Sequence, residues 1–196
     1  MPITAACSQT EQGAPENYPE NSIECATLRD GTQVLVRPIR PDDAPRLQAG
    51  FKRLSPESIY LRFFETFKEL PDNQAVGFAT VDYQDRMALV AAIQENGEER
   101  LIGVARYSKV SPSEPGLAES AVIVDDEYQG RGLGTLLLSR LEAYARAHGV
   151  TALLATVHST NARMLHFIQS SGYPFQRKIV EPGVWEIRVF LEPRTP

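Results

Sequence analysis

Short apolar runs rich in Val, Ile and Leu recur along the chain between residues 33 and 191, separated by Gly, Pro, Asn and Asp. Runs of this length and composition are typical of strands in a buried sheet. A Glu-Asn-Gly-Glu-Glu segment at residues 95–99 predicts a hairpin turn between two of them. The predicted strands cover residues 33–39, 87–94, 101–110, 117–124, 151–157, 177–180 and 185–191.

Four segments between these strands carry helix signals. Ser55 before Pro56 predicts an N-cap followed by proline at the first helical position. Leu133, Leu137 and Leu141 repeat at helical spacing until Gly149, which predicts the end of that helix. The remaining predicted helices start at residues 41–43, with Asp42 or Asp43 as cap, and cover residues 161–170.

Composition and charge limit the possible classes of protein. Residues 1–24 are polar and predict a disordered tail, and residues 25–196 suit one domain with a sizeable core. The formal net charge of −5 and the lack of a basic run speak against nucleic acid as a partner. No apolar stretch approaches the ~20 residues of a membrane span, and the start lacks a secretion signal. We therefore expect a cytoplasmic protein, with Cys7 and Cys25 as free thiols and no metal site.

A glycine-rich turn, Gln129-Gly130-Arg131-Gly132-Leu133-Gly134, lies between a predicted strand and a predicted helix. Glycines let the backbone approach a ligand closely, and the free amides of a first helical turn favour an anion. This order predicts a diphosphate site made mainly of backbone. Taken alone, an ordinary tight turn is an equally good interpretation.

The spacing of the glycines excludes two common phosphate motifs. A P-loop needs Lys and Ser/Thr after its last glycine, whereas Thr135 and Leu136 follow Gly134. A Rossmann turn needs G-x-G-x-x-G, and the spacing here is G-x-G-x-G. The pattern instead resembles motif A of the GNAT superfamily of N-acetyltransferases. Asn161-Ala162-Arg163-Met164, followed by Ser171-Gly172-Tyr173, resembles motif B of that superfamily.

The resemblance covers residues 27 to 192, and within the superfamily it is narrower still. Residues 36–43, 54–64 and 118–122 resemble bacterial protein-lysine acetyltransferases that act on acyl-CoA synthetases. The resemblance implies an α/β GNAT fold, with a mixed, mostly antiparallel sheet of about six or seven strands flanked by helices. It also implies that the fourth and fifth strands splay apart where acetyl-CoA binds.

The resemblance implies a set of residues that contact acetyl-CoA. The turn would hold the diphosphate, and the backbone of the preceding strand would pair with the pantetheine amides. Asn161 would contact the cofactor or cap its own helix, two interpretations of equal standing. The implied set is Val122, Ile123, Val124, Gln129, Gly130, Arg131, Gly132, Leu133, Gly134, Thr135 and Asn161.

Glu119 aligns with the glutamate proposed as general base in the protein-lysine acetyltransferases. Its apolar neighbours in sequence predict surroundings that raise the pKa of the carboxyl toward the useful range. Without the resemblance, an exposed strand end would be the better interpretation. Many superfamily members have a tyrosine acid seven residues after the motif B asparagine, but here that position is Ile168. His166 and Tyr173 are weak alternatives for that role.

The implied function is transfer of the acetyl group of acetyl-CoA to a lysine of a protein, most simply an acyl-CoA synthetase. Two alternatives remain: an acetyltransferase for a small amine or antibiotic, and a non-catalytic CoA-binding sensor. The match over residues 54–64 speaks against the small-amine enzyme, and Glu119 speaks against the sensor.

Overall fold

The structure, a computed structural model, describes residues 15–191. One sheet has the strand order β1-β2-β3-β4-β5-β6-β8-β7. Its neighbours are antiparallel, except β5 and β6, which run parallel. The strands are β1 (Glu24–Thr27), β2 (Gln33–Pro38), β3 (Arg86–Glu95), β4 (Glu98–Ser111), β5 (Glu114–Val124), β6 (Ala152–His158), β7 (Phe175–Glu181) and β8 (Val184–Phe190).

Helices cover both faces of the sheet. A β-carbon at Gly103 of β4 would meet Leu137 and Leu133, so the odd-numbered side chains of β4 face the long helix that follows β5. The even-numbered β4 residues Ile102, Val104 and Arg106 line a pocket under the first three helices. The helices are α1 (Ala44–Phe51), α2 (Pro56–Phe63), α3 (Asp72–Ala79), α4 (Leu133–Ala147) and α5 (Ala162–Ser170).

The predicted α/β architecture with a mostly antiparallel mixed sheet is confirmed, and the sheet has eight strands rather than six or seven. The additional strand, β1, has only four residues and alternates between exposed and half-buried positions, so it carries little apolar signal. Helix α3 was also missed, because its sequence DNQAVGFA contains a glycine and has no helical apolar stripe.

The disordered tail predicted for residues 1–24 is wrong from residue 15 onward; residues 1–14 lie outside the described part. Tyr18 is buried, donates its hydroxyl hydrogen bond to the Pro38 carbonyl at 2.8 Å, and meets Tyr83 edge to face at 5.6 Å. A single aromatic ring thus holds an otherwise polar segment against the sheet.

The expectation of a free thiol at Cys25 is also wrong, because Cys25 is disulfide-bonded. Cys7, the other of the two cysteines in the sequence, lies outside the described residues. Within residues 15–191, no helix combines the length and the apolar character that crossing a membrane requires.

The start of α1 is fixed by a buried ion pair. Arg37 of β2 is fully buried and donates to both carboxylate oxygens of Asp43, at 2.7 and 2.8 Å. Asp43 also accepts from the Arg40 amide at 2.8 Å and from the Arg46 side chain of α1 at 3.1 Å. It thus stands at the predicted cap position but accepts no bond from a backbone amide of the helix. Burial opposes ionisation of Asp43, yet the Arg37 bonds prevail and lower its pKa.

Candidate active site

Strands β5 and β6 pair over only three residues each. Their register runs from Leu117–Ala152 to Glu119–Leu154 and stops there. Beyond this point β5 continues to Val124 and β6 to His158, each paired only with its other neighbour. The predicted splaying is confirmed, and it leaves a wedge-shaped opening within the sheet.

Hydrogen bonding along β5 determines which backbone groups face this opening. The Asp125 amide donates to the Ile102 carbonyl of β4 at 2.9 Å. Since backbone direction alternates along an antiparallel pair, Ile123 also faces β4, whereas Val122 and Val124 face the opening. Ile123 thus lacks a free backbone group, and the predicted pairing of its backbone with a ligand is not supported by this geometry.

The glycine turn presents a run of free amides at the wide end of the opening. Gly130 and Gly132 have φ of 76° and 90°, and Gly132 is the N-cap of α4. Within the described chain, the amides of residues 130–135 have no acceptor, and the first helical bond is from Leu136 to the Gly132 carbonyl at 3.0 Å. Consecutive amides at a helix start form an anion site.

The Arg131 and Leu133 side chains of the turn are engaged elsewhere, so the cradle consists mainly of backbone. Arg131 forms an ion pair with Asp30 at 2.6 Å and lies over the Tyr128 ring. Leu133 is buried in the core, and Thr135 is exposed. A β-carbon at Gly132 would lie 3.3 Å from the Arg29 side chain, so the turn has little room for a larger residue.

Gln129 and Asp126 tie the turn to helix α2. Asp126 accepts from the Ser55 amide at 2.7 Å and from the Ser58 hydroxyl at 2.7 Å. The Gln129 side-chain amide donates to the Ser58 hydroxyl at 3.0 Å and to the Val124 carbonyl at 3.1 Å, and its oxygen accepts from Arg163. Gln129 therefore holds the site together through its side chain.

Asn161 caps helix α5. Its side-chain oxygen accepts from the Met164 amide at 3.1 Å, which is the N-cap interpretation left open by the sequence. The side-chain nitrogen of Asn161 has no acceptor within residues 15–191 and remains able to donate to a ligand. The residue seven positions later, Ile168, is buried with Val157, Ile187 and Val189 and offers no proton.

Glu119 is the last β5 residue paired with β6, so it lies where the two strands part. Its side chain is exposed and has no hydrogen bond or ion pair within residues 15–191. Its charge acts on Arg62 of α2 and Arg106 of β4. The apolar surroundings predicted for Glu119 are therefore wrong, because strand pairing and α2 bring two guanidinium groups to it.

Arg62 and Arg106 line a pocket of ≈ 80 Å³ between β5 and the helices α1, α2 and α3. The pocket is otherwise mainly apolar, with Phe51, Phe63 and Phe78 among its walls. Sequence reasoning missed both arginines. Arg106 could have been noticed in the sequence as a charged residue within a predicted buried strand. Its neighbours Ala105 and Tyr107 are fully buried in the structure.

A second, smaller cavity lies on the opposite face of the opening. Its walls include Ser120, Val122, Glu142 and Met164. Glu142 is buried without a hydrogen bond or ion pair in the described chain, and burial raises its pKa to about 7. Glu142 could not be identified from sequence, since it occupies one polar position in an ordinary amphipathic helix.

Residues 48–173 match the sequence profile of the acetyltransferase (GNAT) family. The chain is 35% identical to an acetyltransferase from Pseudomonas aeruginosa, over 77% of this chain and 80% of that protein. It is 30% identical to the acetyltransferase Pat from Mycolicibacterium smegmatis, over 83% of this chain but only 47% of Pat. An L-methionine sulfoximine/L-methionine sulfone acetyltransferase from P. aeruginosa is 28% identical, over 60% of this chain and 69% of that protein.

Among solved structures, the GNAT domain of S. lividans PAT superposes with a TM-score of 0.79 at 32% identity, covering 88% of this chain and 99% of that domain. The splayed sheet, the amide-lined turn and these similarities agree. The chain belongs to the GNAT family and is an acetyl-CoA-dependent N-acetyltransferase. Within residues 15–191, no group of His, Cys, Asp and Glu side chains is placed to hold a metal ion.

The cradle predicts that the same substitution at two glycines weakens acetyl-CoA binding at only one of them. Gly132→Ala puts a side chain at φ of 90°, which costs about 1–2 kcal/mol and displaces the amides. Gly149→Ala is the matched control, because Gly149 has a similar φ of 79° at the opposite end of α4, outside the cradle.

Thermal unfolding with and without acetyl-CoA measures both variants. Wild type and Gly149→Ala should gain about 2.7 kcal/mol at 100 times the dissociation constant, and Gly132→Ala should need at least about tenfold more ligand. Equal ligand stabilisation of all three proteins would show that the turn does not hold the cofactor.

Proposed function

We propose that this enzyme transfers the acetyl group of acetyl-CoA to a lysine side chain of a protein, an acyl-CoA synthetase in particular. The observation that carries the proposal is the similarity to the GNAT domain of S. lividans PAT, which extends over 88% of the chain at a TM-score of 0.79. The exposed Glu119, at the point where β5 and β6 part, also supports the proposal. We further propose that the reaction takes place in the cytoplasm.

The proposed acetyl-CoA site follows the exposed backbone of β5. The amides of residues 130–135 would hold the diphosphate, and Val122, with the Val124 amide, would pair with the pantetheine arm. From Val124 to Glu119 the strand covers roughly 17 Å. This length suits a ligand with a diphosphate at one end, amides along an extended arm, and a reactive thioester at the other end.

Glu119 is the proposed general base. A lysine amine has a pKa of about 10.4, so roughly one in 2,500 is neutral at pH 7. A carboxylate at the point where β5 and β6 part can accept the ammonium proton directly or through water. The neutral amine then attacks the thioester carbonyl, and the thiolate leaves. A thiol has a pKa of about 8.5, so this departure needs no protein acid in place of the buried Ile168.

A small-amine acetyltransferase is the second candidate. The similarity to the methionine sulfoximine enzyme favours it, although that similarity covers a smaller share of the chain than the match to Pat. A CoA-binding sensor has less support, because Glu119 is exposed at the opening and has no structural partner in the described chain.

The role of Glu119 is tested by Glu119→Gln, with Glu114→Gln at an exposed position of the same strand as the control. Loss of the base should lower kcat by a factor on the order of 100 or more, while acetyl-CoA binding is unchanged. Steady-state kinetics and thermal shift measure the two properties. A Glu119→Gln enzyme with near wild-type kcat at neutral pH would leave Glu119 without a catalytic role.

The acceptor is tested by incubating the enzyme and acetyl-CoA with a purified acyl-CoA synthetase, with free lysine and with a panel of small amines. Mass spectrometry should find one synthetase lysine acetylated with wild type and with Glu114→Gln, and far less with Glu119→Gln. Acetylation would remove the charge and hydrogen-bond donors of that lysine. Rapid turnover of a small amine with no labelled synthetase would assign the enzyme to the second candidate.

A further inference from the structure

Arg62 and Arg106 differ from three other arginines that are buried or half-buried. Arg37, Arg53 and Arg100 each form an ion pair with at least one carboxylate. Arg62 and Arg106 make no hydrogen bond or ion pair with any residue from 15 to 191. Each guanidinium has five N–H donors, and on these two half-buried side chains the donors are open to an acceptor from a ligand.

Aromatic rings hold both guanidinium groups at the pocket. Arg62 lies over Phe63 at 4.9 Å, and Arg106 lies over Phe78 at 4.6 Å. Stacking fixes the plane of a guanidinium and leaves its edge free to donate. The pair is therefore oriented although it has no acceptor.

The free protein bears an electrostatic cost at this place. Burial, together with the charges of Arg62 and Arg86, lowers the pKa of Arg106 to about 10 against the opposing effect of Glu119. Burial also lowers the pKa of Arg62. An anion placed between the two arginines would relieve their repulsion.

We propose that Arg62 and Arg106 bind a carboxylate of the acceptor, so that the enzyme selects amines with an acidic group close by. Guanidinium edges match the geometry of a carboxylate. Two arginines and the Glu119 carboxylate sum to one positive charge, which suits a carboxylate better than a doubly charged phosphate. The apolar walls beside the pair would contact the carbon skeleton of the acceptor.

This inference rests on the proposed acetyl transfer and specifies its substrate class. The carboxylate has two possible sources: an Asp or Glu side chain near the target lysine, or the α-carboxylate of a free amino acid. In either case the positive charge of the arginine pair selects an acceptor with an acidic group near its amine. This holds although the whole chain has a net charge of −5.

The test compares lysine peptides flanked by Glu with the same peptides flanked by Gln, and free amino acids with their amides. Wherever the wild-type enzyme acetylates a pair of substrates, its kcat/KM should be at least about tenfold higher for the substrate with the carboxylate than for its uncharged counterpart. Arg62→Gln and Arg106→Gln should bring this ratio near one, mainly through KM, and Arg106→Lys should retain part of it. Arg140→Gln, on α4, is the matched control and should keep the wild-type ratio.

The possible results distinguish failure of the arginine site from failure of the proposed protein substrate. Acid selectivity seen only with free amino acids supports the arginine site and refutes the protein substrate. A labelled synthetase combined with no acid preference in the peptides refutes the arginine site alone. A wild-type ratio in both Gln variants, or a shifted pH profile in place of a changed ratio, also refutes it.

A binding measurement requires no turnover. Glutarate, as the probe, should raise the melting temperature of wild type and of Arg140→Gln, whereas glutaramide should not. The Arg106→Gln variant should lose the glutarate response, and a response equal to wild type would overturn the inference.

Discussion

The carboxylate of Asp126 is the interaction on which the arrangement of the site depends. It accepts from the amide and hydroxyl of Ser55, from the hydroxyl of Ser58 and from the side chain of Gln129, at 2.7 to 3.3 Å. These donors belong to the start of α2 and to the glycine turn. One anion thus fixes the helix that carries Arg62 relative to the amides at the start of α4. The adjacent Asp125 binds Arg53 and Arg100, whose bonds overcome the effect of burial and lower its pKa.

The parting of β5 and β6 supplies the second requirement. A parallel neighbour reached through α4 pairs with β5 for three residues, and α5 then follows β6 with its N-cap at Asn161. The outer half of β5 is left with backbone groups that face neither a strand nor a helix. Unpaired amides within a sheet favour a ligand that extends along the strand. The proposed cofactor site is therefore a consequence of incomplete sheet pairing, and the glycine turn would complete it.

Local sequence signals predicted the local structure well. The Ser55 cap of α2, with its bond to the Ser58 amide, and the φ of 79° at Gly149 both follow from residue chemistry within one turn of chain. The missed β1 and α3 are short and weakly apolar, and Tyr18 is held by contacts with residues far along the chain. Such elements form only because the rest of the sheet is present.

Site chemistry was harder to predict, because it depends on strand register. The apolar neighbours of Glu119 in sequence alternate across β5, whereas its neighbours in space include Arg62 and Arg106, from an α-helix and an adjacent strand. The direction of the Ile123 backbone likewise follows from the bond between Asp125 and Ile102. Sequence spacing identifies the residues near a site, but pairing decides which of their groups face it.

A crystal structure of the complex with coenzyme A tests the central claim most directly. The account predicts diphosphate oxygens within hydrogen-bond distance of amides in residues 130–135, pantetheine amides paired with the backbone of Val122, and the thiol end near Glu119. A diphosphate held by side chains away from α4, or a pantetheine arm outside the opening between β5 and β6, would contradict it.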